Sequence, residues 1–130
     1  MRIYKFLTGI FILILISIVA IANLGLGPIY FPFIYELPGM DKVGHFILAG
    51  LLSYLVNRLF KGQLLDVLSI KVLKGSLIII LIVALEELSQ LFLLYRAFSW
   101  LDLAFDLGGI TLGGWLAVQA IKREQDREQI

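Results

Sequence analysis

Cysteine is absent from the chain. That excludes disulfides, thiolate metal sites and a cysteine nucleophile. Charge is scarce as well. Lys, Arg, Asp and Glu make up 16% of the 130 residues, where a soluble domain carries about 25%. The net charge is only +1, so no broad basic field exists to attract nucleic acid. No GxSxG motif supports a covalent serine route, although Ser89 and Ser99 are present. Repeats and low-complexity tracts are missing too, and the length allows one domain at most.

What the chain has instead is apolar surface. Hydrophobic residues make up 60% of it and the mean hydropathy is +0.95. They lie in long blocks rather than in alternation with polar residues. This composition predicts an integral membrane protein. Four runs are long enough to span: Phe6 to Leu26, Val43 to Phe60, Gly75 to Tyr95 and Trp100 to Ile121. At about 1.5 Å per residue each covers roughly 27–33 Å, the thickness of a hydrocarbon core. The expected fold is therefore all-α, an integral membrane four-helix bundle formed by residues 1–130 as a single domain. Its location is the cell membrane, multi-pass. The tail KREQDREQI is expected to fray. The first run has a second reading. Arg2 and Lys5 precede it, and Ala20-Ile21-Ala22 resembles a signal-peptidase site. The run is nearer to a full span than to a signal-peptide core, so a retained helix is the expectation.

Basic residues set the orientation. With four spans, nine of them fall on one side: Arg2, Lys5, Arg58, Lys61, Lys71, Lys74, Lys122, Arg123 and Arg127. Only Lys42 and Arg96 fall on the other. The positive-inside rule then gives an N-in/C-in arrangement. The Tyr-, Phe- and Pro-rich loop GPIYFPFIYELPGMDK faces outside, as an interfacial aromatic belt would.

Polar residues then fall at one depth. Asp41, Lys42 and His45 open the second run. Glu86, Glu87 and Gln90 lie near the outer end of the third, Arg96 lies in the turn, and Asp102 and Asp106 open the fourth. Gln90 shares a helix face with either glutamate, whereas Glu86 and Glu87 point about 100° apart. The Glu87-x-x-Gln90 spacing favours Glu87 as the one that faces the cluster. Asp102, Asp106, Gly109 and Gly113 form one stripe, acidic above and without side chains below. Its GxxxG lets another helix approach closely and also allows a homodimer. A bland account competes throughout. Asp41, Lys42, Arg96 and Asp102 could rest in the headgroup region, Asp41 or Ser99 could cap helices, and the ion pairs could simply lock helices together.

Taken together, Asp41-Lys42-x-x-His45-Phe46, Glu87-x-x-Gln90, Arg96, Asp102 and Asp106-x-x-Gly109-x-x-x-Gly113 resemble the signature of VanZ-like membrane proteins. The resemblance covers about residues 35–120. One position departs from it: the family pattern usually has Asn where this chain has Asp106. The resemblance implies a small helical membrane protein connected with low-level resistance to the glycopeptide teicoplanin and with the cell envelope, and it assigns no biochemical activity.

Three functional classes follow. The first is recognition of a lipid, envelope-precursor or glycopeptide headgroup by Asp41, Lys42, Gln90 and Arg96. The second is an intramembrane hydrolase or transferase on lipid-linked substrates. His45 would be its acid or base, with Glu87, Asp102 and Asp106 as catalytic partners. The third is a structural scaffold. No cofactor is demanded, but the carboxylates and His45 could take a hard divalent cation. The expected partners are the bilayer and such a lipid-linked molecule, not nucleic acid.

Overall fold

Short breaks in the apolar pattern set the helix ends. A computed structural model describes residues 1–130. Helix α1 spans Arg2–Asn23 and stops where Gly25 turns left-handed at φ 76°. The Gly25 and Leu26 amides donate back to Ala22 and Ile21, closing the end of the helix. Two single-turn helices follow, α2 (Gly27–Tyr30) and α3 (Pro32–Glu36), each with proline in its first positions. Helix α4 runs over Met40–Leu59. Strands β1 (Leu64–Val67) and β2 (Ile70–Leu73) form an antiparallel hairpin in the register Leu64↔Leu73 and Val67↔Ile70. Helix α5 (Lys74–Ser89) ends in a 3₁₀ turn, Gln90–Phe92. Helix α6 covers Trp100–Glu128, and the Ser99 side chain caps it by accepting from the Asp102 amide.

This architecture corrects the expected four-span bundle. The chain has six helices and a β-hairpin, so it is not purely all-α. Three helices are long and apolar enough to cross a membrane: α1, α5 with its 3₁₀ turn, and α6. The protein is a multi-pass membrane protein on that ground. Helix α4, the expected second span, is not among them. Asp41, Lys42, His45, Asn57 and Arg58 dilute its apolar character. The reason is its position. It packs along α6 and also against α1 and α5. Only Val43, Ile47 and Leu51 on it are exposed, one stripe at i, i+4, i+8. Its charged and polar groups meet partners on the neighbouring helices rather than lipid, which lets a less apolar helix sit in the bundle.

Boundaries shift too. The third run is helical only to Ser89 rather than Tyr95, and the fourth continues to Glu128 rather than Ile121. The tail is therefore a helical extension and not a frayed end. Arg58 holds it, with Nη2 2.6 Å from Glu124 Oε1, while its guanidinium lies 4.3 Å over the Tyr4 ring.

Helices α4 and α6 meet backbone to backbone. A Cβ on Gly109 would strike the Phe46 carbonyl, and one on Gly113 would strike the Gly50 carbonyl. Glycine is required there because any side chain would part the helices. Ala49, Leu52, Val56, Ile79 and Ile110 fill the core beside this seam, with Phe11 and Leu15 of α1 packed on it. A polar knot lies within the bundle. Ser53 Oγ donates to the Ile110 carbonyl at 2.8 Å, and Asn57 Nδ2 donates to Ser76 Oγ at 2.9 Å. These bonds tie α4 to α6 and α5. The outward faces stay apolar, with Phe6, Leu13 and Ile16 of α1 and Leu81 and Leu85 of α5 more than half exposed. In a bilayer such faces meet lipid tails at no cost.

Candidate active site

The helix directions gather the polar residues at one end. Helices α1 and α5 finish there, while α4 and α6 begin there. The first turns of α4 supply Asp41, Lys42 and His45, those of α6 supply Asp102 and Asp106, and the last turn of α5 supplies Glu86 and Glu87. The glycine seam brings α4 and α6 close enough for their side chains to meet directly.

Lys42 Nζ sits 2.9 Å from both Asp41 Oδ2 and Asp102 Oδ1, bridging the two helices. His45 lies between two carboxylates. Its Nδ1 is 3.0 Å from Asp106 Oδ1, and its Nε2 is 3.6 Å from Asp102 Oδ2. Glu87 is fully buried; its Oε1 accepts from the Ser99 amide at 2.8 Å and its Oε2 from Gln90 Nε2 at 3.1 Å. Asp106 and Gln90 are buried as well. Arg96 lies at the rim, 3.5 Å from Glu86 Oε1, and donates to Asn23 Oδ1 of the α1 end at 2.9 Å.

Glu86 and Glu87 point to different sides, and Gln90 bridges them. Gln90 Nε2 donates to both, reaching Glu86 Oε2 at 3.0 Å. The helix gives way to a 3₁₀ turn at Gln90, so its side chain folds back between the two glutamates. Glu86 faces a cavity, while Glu87 lies behind the polar wall.

That cavity has a volume of about 640 Å³. One wall is polar, with Lys42, His45, Arg96, Asp102 and Asp106. The other is apolar and comes from Ile18 and Val19 of α1, Phe31 between α2 and α3, and Ile34 of α3. Sequence spacing did not reveal the α1 wall, because its residues look like any lipid-facing helix. A pocket with one wet and one greasy wall suits an amphiphile.

His45, Glu87 and Asp106 each offer a ligand atom within 4.8 Å of the others, a cluster able to coordinate a metal ion. The same His45 has the surroundings of a general acid or base, with carboxylates to orient the ring and a cavity in which a reacting group could sit. No family model, curated protein or solved structure matches this chain.

Proposed function

We propose that the protein is an intramembrane hydrolase or transferase acting on a lipid-linked substrate, with His45 as its general acid and base. The observation that carries this reading is the His45 ring held between Asp102 and Asp106 at the edge of a half-apolar cavity. The acyl or prenyl chain of a substrate would lie along the α1 wall, with its headgroup against Lys42 and His45. His45 takes a proton from water, or from an acceptor hydroxyl, as that oxygen bonds to the carbonyl carbon or phosphorus. The bond to the leaving oxygen breaks, and His45 returns the proton to it. Lys42 and Arg96 stand where negative charge develops. The excess of basic residues at the opposite end supports a site facing the outer leaflet. The motif run from Asp41 to Gly113 supports kinship with VanZ-like proteins and a role at the cell envelope.

The cavity also supports a second reading, headgroup recognition without turnover, as glycopeptide or precursor binding would require. Purified protein in lipid discs, offered lipid-linked phosphodiesters and esters, separates the two. Turnover that falls at least ~100-fold in His45→Ala, in protein that stays folded, is the expected result. Turnover that survives the change overturns the catalytic assignment. Saturable binding by the wild type without turnover leaves recognition alone.

A further inference from the structure

The charges at the site do not balance. Five carboxylates converge there, from Asp41, Glu86, Glu87, Asp102 and Asp106, against two fixed cations, Lys42 and Arg96. Three negative charges remain in excess, or two if His45 is protonated. Such an excess is costly where little water can screen it. A site built only to hold a phosphate would have the opposite sign. Both cations are moreover already engaged with carboxylates.

The His45 ring sharpens the point. Asp106, a carboxylate, accepts from Nδ1–H at 3.0 Å, and a second carboxylate, Asp102, faces Nε2 at 3.6 Å. A neutral imidazole can donate to only one of them; the other then faces its lone pair. A cation between His45 Nδ1 and Asp106 resolves this. The ring takes the metal on Nδ1 and donates Nε2–H to Asp102. That is the carboxylate–histidine–metal arrangement common in metalloproteins. Glu87 supplies the third ligand, and the Ser99 amide and Gln90 fix its carboxylate. Separations up to 4.8 Å among the ligand atoms need little adjustment, since metal–ligand bonds of about 2.0–2.2 Å place ligands up to about 4.4 Å apart.

We infer that the protein binds one divalent first-row transition ion through His45, Glu87 and Asp106, with Asp102 as a positioning residue that orients the histidine. One imidazole and two carboxylates suit Mn²⁺, Fe²⁺ or Zn²⁺ better than a soft ion. The remaining coordination positions face the cavity beside the headgroup of a substrate. The inference rests on the reading of this site as hydrolytic but moves the activation of water to the ion: with Nδ1 on the metal and Nε2–H on Asp102, His45 has no free nitrogen to take a proton. Its test nevertheless reads binding and not turnover.

Chelator-stripped protein in mild detergent is titrated with Mn²⁺ and, separately, Zn²⁺, followed by calorimetry and by Mn²⁺ spin resonance. One ion per chain is expected in the wild type. His45→Ala and Asp106→Asn should abolish the binding, and Asp102→Asn should weaken it about 10–100-fold. Asp66→Asn, on the distant hairpin, should bind as the wild type does. A wild type that binds no ion, or binding retained in both His45→Ala and Asp106→Asn, overturns the inference, and the wild-type arm decides even if a variant misfolds. Turnover that persists in excess chelator overturns the metal and leaves the hydrolase reading standing. Ion binding without any turnover overturns the hydrolase reading and leaves the metal.

Discussion

At the scale of single residues, Glu87 is a fully enclosed carboxyl group. It has no solvent exposure, and each of its oxygens has its own donor. Glu87→Gln keeps the shape but not the pattern. The new amide oxygen can still accept from the Ser99 N–H, but the amide nitrogen then faces Gln90 Nε2, donor against donor. Gln90 can turn its own oxygen inward only by giving up Glu86. The change should therefore destabilise the fold by about 1–3 kcal/mol, the cost of a buried polar group left without a partner. Glu86→Gln should cost less than about 1 kcal/mol, since Glu86 is part-exposed and its pairing with Arg96 at 3.5 Å is loose. Unfolding midpoints in mixed detergent read both. Equal losses would show that Glu86, not Glu87 alone, anchors the α5 end.

At the scale of elements, the seam between α4 and α6 positions the site. Gly113→Ala places a methyl group against the Gly50 carbonyl, which is backbone and cannot rotate away. The helices must separate, at about 1–3 kcal/mol of overpacking strain. Asp102 and Asp106 ride on α6, so separation also draws them from Lys42 and His45. Gly108→Ala is the matched control, because its methyl meets only the Phe46 ring at 3.3 Å, and a side chain can yield. The expected outcome is a lower unfolding midpoint for Gly113→Ala, with Gly108→Ala near the wild type. Equal stability in both would dissolve the seam argument. These elements also show what the sequence makes legible. The helical hairpin from Glu86 to Gly113 follows from apolar periodicity and one short turn. The β-hairpin was hidden, because its strands have four residues each and its turn is Leu68-Ser69. Both turn residues take positive φ, at 49° and 68°, where Asn-Gly is the usual signal. Helix α4 reads in the sequence as one of four membrane spans because its apolar residues are legible and its enclosure is not. The Ser53–Asn57–Ser76 knot went unread for a related reason: which serines face inward depends on neighbours far away in the chain.

At the scale of the whole molecule, the chain is polar at its two ends and greasy around its girth. The ends differ. Lys42 and Arg96 share one with the acids, while Arg2, Lys5, Lys122, Arg123 and Arg127 stand at the other, where α1 begins and α6 finishes. Three helices long and apolar enough to cross a membrane run between these ends. Helices α1 and α5 run toward the site and α6 runs away from it, so an upright bundle in which the enclosed α4 carries the chain back would put the residues just past α1 and α5 on one face and both chain termini on the other. The absence of native cysteine makes this directly measurable. Tyr35→Cys and Leu94→Cys, both at well-exposed positions, should react together with an impermeant thiol reagent added to one side of sealed vesicles. Arg2→Cys and Gln129→Cys should react only when the reagent reaches the other side. Labelling of Tyr35→Cys and Gln129→Cys from the same side would overturn the upright bundle, because α4, α5 and α6 together would then cross an even number of times. The cavity would then open along the membrane surface rather than into the bilayer, and a lipid-linked substrate would lose its route to His45.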